Sequence, residues 1–321
     1  MNSKPIIIVH GEPNSIFLEI FFKSLKYKKY KNPLVLICSY KILKFQMKKL
    51  RFKMDIKIIN PSLLNKIKLN NKTINIIDVK YNKNIYFQKI SNKSNEYIKN
   101  CFKISLKILN SGITNKLING PISKKTFLKK KFLGITEYLT KKTNASQNVM
   151  LIYNKQLSVC PITTHLPLKF VIKNINKKMI IDKITLIDNF YKNNLQFKPK
   201  IAVLGLNPHC ETIDKFNEDE KILKPAIRYL SNKKIYVKGP FSADTAFLKK
   251  NRENFDIIVG MYHDQVLTPI KTIFEYDAIN ITLGLPFIRV SPDHGPNQKM
   301  LGQNKSNPLS LVRAIEFLEK N

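Results

Sequence analysis

The sequence is poor in cysteine, arginine and acidic residues, has no tryptophan, and contains no long apolar run. Its four cysteines, Cys38, Cys101, Cys160 and Cys210, are widely separated with no C-x-x-C pair. That spacing argues against both a disulfide framework and a zinc ribbon. No uncharged apolar stretch approaches the ~20 residues that a membrane-spanning helix requires. The first residues hold only a short apolar run before a turn and read as a first strand, not a secretory signal. A reducing cytoplasm is the expected compartment. Repeats, low-complexity tracts and Gly/Ser-rich linkers are also missing, so no domain boundary is marked in the sequence.

What is abundant is lysine. The 321 residues carry 56 Lys+Arg against 22 Asp+Glu, a formal charge of +34. Only Arg51, Arg228, Arg252, Arg289 and Arg313 are arginines. Arginine is the side chain that reads guanine edges and grips phosphate bidentately. An excess made of lysine therefore argues for a solvated surface, and specific nucleic-acid binding is not expected. The clusters Lys23–Lys31 and Lys124–Lys131 are interrupted by apolar and aromatic residues, as on amphipathic helices. With 43% hydrophobic residues the chain has ample material for one large or two medium domains.

Short β-branched runs alternate with helical periodicity, which predicts an α/β fold with parallel or mixed sheets flanked by helices. Pro5–Val9, Leu34–Cys38, Leu157–Ile162, Lys200–Leu204, Ile235–Val237 and Asp256–Val259 read as strands. Helices are predicted from about Ile16 to Tyr27, through Tyr97, Cys101, Ser105 and Ile108, and along the Ile180, Ile184, Ile187, Tyr191 stripe. Asn217 and Glu220 resemble an N-cap pair opening a further helix.

The unusual polar residues follow the strands. Leu157–Ile162 leads to Thr163-Thr164-His165, Lys200–Leu204 to Gly205-Leu206-Asn207-Pro208-His209, and Asp256–Val259 to Tyr262-His263-Asp264-Gln265. Ligands of open parallel sheets bind outside the carboxyl ends of the strands, so these loops are expected to converge. Three neutral imidazoles suit a catalytic divalent cation with an open position. The competing reading is that each histidine is an ordinary hydrogen-bonded loop residue. His10 reads as bonded within the first turn.

These strings resemble the 4-hydroxythreonine-4-phosphate dehydrogenase family of vitamin B6 biosynthesis, within the isocitrate/isopropylmalate dehydrogenase fold. Further matching stretches are Gly120-Pro121-Ile122-Ser123-Lys124, Gly134-Ile135-Thr136-Glu137-Tyr138-Leu139, Gly239-Pro240-Phe241-Ser242-Ala243-Asp244-Thr245, and Thr282 through Gly295. The match continues to Asn307-Pro308, with a weaker one at Gly11-Glu12-Pro13. The resemblance implies two lobes, residues 1–120 with 264–321 and residues 121–263. It implies that His165, His209 and His263 bind a divalent metal (Zn, Mg, Mn or Co), shared across a homodimer interface. It also implies substrate contacts from Thr136, Lys271, Asn280 and Arg289, catalytic roles for Lys271 and Asp244, and NAD or NADP beside His294, Lys299 and Asn307.

The implied reaction oxidises 4-phosphooxy-L-threonine by hydride transfer to nicotinamide, and the β-keto acid product then decarboxylates. Without the family, Arg289 reads as a surface ion pair, Lys271 as a solvated side chain and Asn280 as a strand-edge amide. Thr136 and Asp244 read equally as helix N-caps. Three departures stand out. Ile135 replaces a family histidine, Asn14-Ser15-Ile16-Phe17-Leu18-Glu19 replaces a glycine-rich, Pro-Glu-containing turn, and Pro296–Gly302 replaces small residues and an acid. Lys299 in that last loop is either a cation for the 2′-phosphate of NADP or a surface lysine. The alternatives are a dehydrogenase of 4-phosphorylated threonate or erythronate, a basic nucleic-acid binder on an enzyme scaffold, and a decayed enzyme.

Overall fold

Ile6-Ile7-Ile8-Val9 and Leu34–Cys38 are buried along their whole length, as expected of parallel strands covered on both faces. The computed structural model describes residues 3–83, 87–128, 132 and 134–321, so Lys129–Lys131 of the second lysine cluster lie outside the described residues. In chain order the strands are β1 (Ile6–Val9), β2 (Leu34–Cys38), β3 (Ile56–Ile58), β4 (Ile74–Asp78), β5 (Lys116–Asn119), β6 (Val149–Tyr153), β7 (Ser158–Thr163), β8 (Ile201–Leu204), β9 (Val237–Phe241), β10 (Ile257–Tyr262), β11 (Ile279–Leu283) and β12 (Ile288–Pro292). The helices are α1 (Phe17–Tyr27), α2 (Tyr40–Lys49), α3 (Asn95–Asn110), α4 (Ile135–Lys142), α5 (Val171–Asn174), α6 (Lys177–Phe190), α7 (Lys224–Asn232), α8 (Ala243–Ala246), α9 (Lys249–Arg252), α10 (His263–Phe274) and α11 (Leu309–Lys320).

The chain forms two compact units, one of residues up to Thr143 with Leu285–Asn321, the other Asn144–Gly284. In the first, six parallel strands run in the order β3-β4-β2-β1-β5-β12. Helix α3 packs on β1 and β2, and α11 packs on β5, β12 and α1. In the second, the order is β11-β6-β7-β10-β8-β9. Strands β11, β6 and β7 pair antiparallel, while β7, β10, β8 and β9 run parallel. The core of this unit holds Ile152, Val159, Leu204, Ile258, Val266 and Ile270.

The unit borders, after Thr143 and after Gly284, lie beyond the sequence-based lobe borders at 120/121 and 263/264. Two packings account for the offset. Tyr138 of α4 meets Phe102 and Phe127 edge-on at 5.8 and 5.4 Å, which keeps residues 121–143 with the first unit. Helix α10 packs on β7 and β10, and β11 pairs with β6, which keeps 264–284 with the second.

Strand β9 is displaced from its expected position. It starts at Val237 and runs through Gly239-Pro240 to Phe241, because a register shift against β8 absorbs an extra residue. Proline is tolerated there because β9 is an edge strand of the unit. Gly239 has φ +138, and a Cβ on it would meet the Val203 carbonyl oxygen at 2.3 Å.

Candidate active site

Strands β7, β10 and β8 are parallel neighbours, with Thr163 opposite Tyr262 and Val259 opposite Val203. Their carboxyl ends therefore open on one edge, and His165, His263 and His209 follow them in turn. His165 and His263 come together, with ring centroids 5.5 Å apart. Two imidazoles sharing a tetrahedral ion ~2 Å from each ring nitrogen have centres about 5 Å apart. The Nδ1 of His263 lies 2.7 Å from Asp264 Oδ1, which leaves Nε2 as its ligating nitrogen. This pair fits a divalent cation. Among the described residues, no three His, Cys, Asp or Glu side chains gather as a metal-binding group within the chain. Of the three expected ligands, the structure joins two.

His209 sits on the turn Pro208–Cys210 and lines a cavity of about 820 Å³ with Lys224, Lys238, Ser242 and Thr245. His165, His209 and Cys210 have φ of 53°, 54° and 62°. Non-glycine residues held in this left-handed region concentrate at functional sites. The loop before His209 is tied down by two side chains that the sequence reading leaves without a role. Buried Asp219 accepts hydrogen bonds from the Leu206 and Asn207 N–H groups at 2.7 and 3.0 Å. Gln265 accepts from the Met261 N–H at 2.7 Å and donates to the Gly205 carbonyl at 2.8 Å. Neither is separable by sequence from ordinary helix-start polarity, since the loop groups they hold, at Leu206, Asn207 and Gly205, are 12 to 60 residues away.

In the first unit the central group is Arg289. It is 1% exposed, so the surface ion pair is excluded. Its Nε donates to Asn119 Oδ1 at 2.7 Å. Burial draws its pKa down to about 10, opposed by the nearby Glu137 carboxylate, so it remains a cation at neutral pH. Asn119, at the end of β5, is a further residue the sequence reading misses. Thr136 is buried, and the N-cap of α4 is Gly134, which rules out the cap reading for Thr136.

His10 does not bond within the first turn. Its Nδ1 lies 2.9 Å from the Tyr97 hydroxyl on α3, and that hydroxyl also accepts from the Ser39 N–H. Complete burial pulls the His10 pKa down to about 3. Glu12 is also buried, accepts from the Asn14 N–H and the Ser94 hydroxyl, and has its pKa raised by desolvation. In the turn that departs from the family, the Ser15 hydroxyl donates to the Glu12 carbonyl at 2.6 Å.

The remaining expected residues are dispersed. In the second unit, half-buried Lys271 lies on α10, while Asn280 on β11 has a buried Oδ1 that finds no hydrogen-bond donor among the described residues. Asp244 is exposed in the first turn of α8, whose N-cap is Ser242, so its cap reading fails. In the first unit, His294 Nδ1 bonds the Gly295 carbonyl at 2.8 Å, and Lys299 is exposed. Asn307 Oδ1 accepts from the Leu309 N–H at the start of α11.

The family profile described as Pyridoxal phosphate biosynthetic protein PdxA matches residues 29–318. The 4-hydroxythreonine-4-phosphate dehydrogenase of Sulfurihydrogenibium sp. (strain YO3AOP1) is 38% identical over 318 residues, 97% of this chain and 96% of that protein. The solved 4-hydroxythreonine-4-phosphate dehydrogenase from Klebsiella pneumoniae superposes with a TM-score of 0.83 at 29% identity, covering 98% of this chain and 96% of its own. Isocitrate dehydrogenase from Methylococcus capsulatus, at 10% identity and TM-score 0.51, covers 97% of this chain and 83% of its own and shares the fold. Among the described residues no helix is long and apolar enough to cross a membrane.

Proposed function

Because the chain belongs to the PdxA family of pyridoxal phosphate biosynthesis and is an oxidoreductase, we propose that it oxidises 4-phosphooxy-L-threonine with NAD or NADP as hydride acceptor. The product is 2-amino-3-oxo-4-phosphooxybutanoate, a β-keto acid that decarboxylates to 3-amino-2-oxopropyl phosphate. The observation that carries this reading is the imidazole pair His165 and His263 on a shared strand edge, with Asp264 orienting the second ring.

In this reading His165, His263 and His209 hold a divalent cation, with a second copy of the chain completing the set in a homodimer. When bound, that cation supplies Lewis-acid polarisation of the substrate hydroxyl. The chain's own residues bind and orient. Arg289, fixed by Asn119 and shielded from water, presents a permanent positive charge to a substrate oxyanion. Thr136 adds a buried hydroxyl in the same unit. In the second unit, Lys271 contributes a second positive charge, and the buried Asn280 Oδ1, without a donor among the described residues, is an acceptor for a substrate N–H or O–H. Asp244 is an exposed carboxylate that meets the substrate amine. His294, Lys299 and Asn307 contact the nicotinamide cofactor, and exposed Lys299 attracts a 2′-phosphate.

The test is NAD(P)H formation with added metal, 4-phosphooxy-L-threonine against 4-phosphorylated threonate. Turnover of the first at least tenfold above the second is expected, with 3-amino-2-oxopropyl phosphate as product. Preference for the threonate would replace the substrate assignment.

A further inference from the structure

In the first unit, helix α1 grips the loop between β12 and α11 at three points along one helix face. The Ile16 N–H, at the N-cap of α1, donates to the Pro296 carbonyl at 3.2 Å. One turn on, Glu19 accepts from the Ser306 N–H at 2.6 Å. One turn further, Lys23 donates to the Asn304 and Ser306 carbonyls at 2.9 and 2.8 Å and to Glu19 Oε1 at 3.0 Å. Positions i, i+3 and i+7 lie on the same side of a helix, so one rigid element holds both arms of the loop.

The fit at Lys23 is full, since an ammonium has three hydrogens and here meets three oxygens. Glu19 is 2% exposed, a depth at which a carboxylate needs a cation and N–H donors around it. Ser306 is also buried, although residues 303–305 and Asn307 on either side are exposed. Asn304 turns the chain through the left-handed region at φ 56°, and Lys23 binds the carbonyl of that turn. The other arm is tied by a short chain of bonds. Asn14 Oδ1 accepts from the Gln88 N–H at 3.0 Å, and Gln298 Nε2 donates to the Gln88 carbonyl at 2.9 Å. Two of the segments that depart from the family pattern, Asn14–Glu19 and Pro296–Gly302, are thus held together.

We propose that Lys23 and Glu19 are positioning residues for the dinucleotide: by pinning Asn304–Ser306 they hold Asn307 and the loop from His294 in the shape that takes NAD or NADP. The proposal rests on the reading that His294, Lys299 and Asn307 contact the cofactor. Lys23 and Glu19 act through the loop backbone, which is ordered before the cofactor arrives and so spares binding that entropy.

The experiment titrates the full-length protein with NADH and NADPH, read by nicotinamide fluorescence, and follows amide hydrogen exchange at residues 303–307 without cofactor. Lys23→Met keeps the aliphatic stem and removes all three bonds. Glu19→Gln keeps the size and an acceptor for the Ser306 N–H but loses the charge that holds Lys23. Lys23→Met is expected to raise the dinucleotide Kd about tenfold, with the KM for 4-phosphooxy-L-threonine within about twofold of wild type. Exchange at Ser306 should quicken. Glu19→Gln should weaken the dinucleotide about threefold, and it carries the test if Lys23→Met fails to fold. Wild-type dinucleotide affinity in the folded variants would overturn the positioning role. So would an equal rise in Kd and in substrate KM, the mark of a generally loosened fold. Asn307→Ala tests the underlying reading separately. Weaker dinucleotide binding in that variant supports the cofactor assignment whatever Lys23 does, and wild-type affinity there would sink the assignment and the proposal with it.

Discussion

In the unit built from β1–β5 and β12, His10, Glu12 and Asn119 at the carboxyl ends of strands, and Arg289 within β12, are at most 2% exposed, whereas in the unit built from β6–β11 His165 and His209 stand exposed. The two units serve two kinds of chemistry. A dry site can hold an arginine in one place, because the Asn119 oxygen is a fixed acceptor for its Nε–H. An exposed strand end leaves imidazole nitrogens open to a hydrated cation, which must exchange its waters for them. The first unit is preorganised by burial. The second is preorganised by the hydrogen bonds that hold its loops.

Breaking the dry site should have the larger effect. Arg289→Met leaves the buried Asn119 oxygen without its donor. Urea unfolding should show a loss of about 1–3 kcal/mol, the cost of leaving that acceptor unsatisfied. Arg289→Lys should fail to restore kcat/KM, since an ammonium lacks the planar fork. A Met variant unfolding at the wild-type urea concentration would contradict the role given to burial.

A smaller effect comes from His10 in the same unit. Its pKa falls from 6.5 to about 3 on folding. The unfolded chain takes up this proton first, so the contribution is fully present above pH 6.5 and is lost as pH falls toward 3. Wild-type stability should fall by up to about 1.4 kcal/mol per pH unit more steeply in that window than His10→Gln. Parallel pH profiles for the two proteins would show that the ring titrates freely.

Smaller still is the change at Ile135, the half-buried first residue of α4. Ile135→His restores a polar side chain beside Thr136 and should lower KM for 4-phosphooxy-L-threonine roughly fivefold, the equivalent of one hydrogen bond. An unchanged KM would place position 135 away from the substrate. The least effect is expected from salt. With a formal charge of +34, self-repulsion is screened by about 0.2 M NaCl, which should raise Tm by a few degrees. A flat Tm would mean that the lysines are already spaced widely enough not to interact.

Much of this was legible in the sequence because strand periodicity and burial coincide. Leu34–Cys38 is a strand over the span expected from its apolar run, and Ile180, Ile184 and Ile187 are all fully buried on α6. The placement of three histidines after three neighbouring parallel strands was also readable. Antiparallel β6 and β11 were not, because an apolar run such as Val149–Tyr153 gives no sign of its partner's direction. The burial of Arg289 was hidden for the opposite reason: a charged residue carries a surface expectation, which its burial against Asn119, 170 positions away, overturns. Asp219 and Gln265 look like helix-start polarity until their partners are known.

The most direct test of the central claim is NAD(P)H formation from 4-phosphooxy-L-threonine by chelator-treated protein, before and after adding back Zn²⁺, Mg²⁺, Mn²⁺ or Co²⁺. Activity should fall at least 100-fold on chelation and return with metal in the wild type, but not in His165→Ala, His209→Ala or His263→Ala. Full turnover by the metal-free enzyme, or full rescue of all three variants, would contradict it.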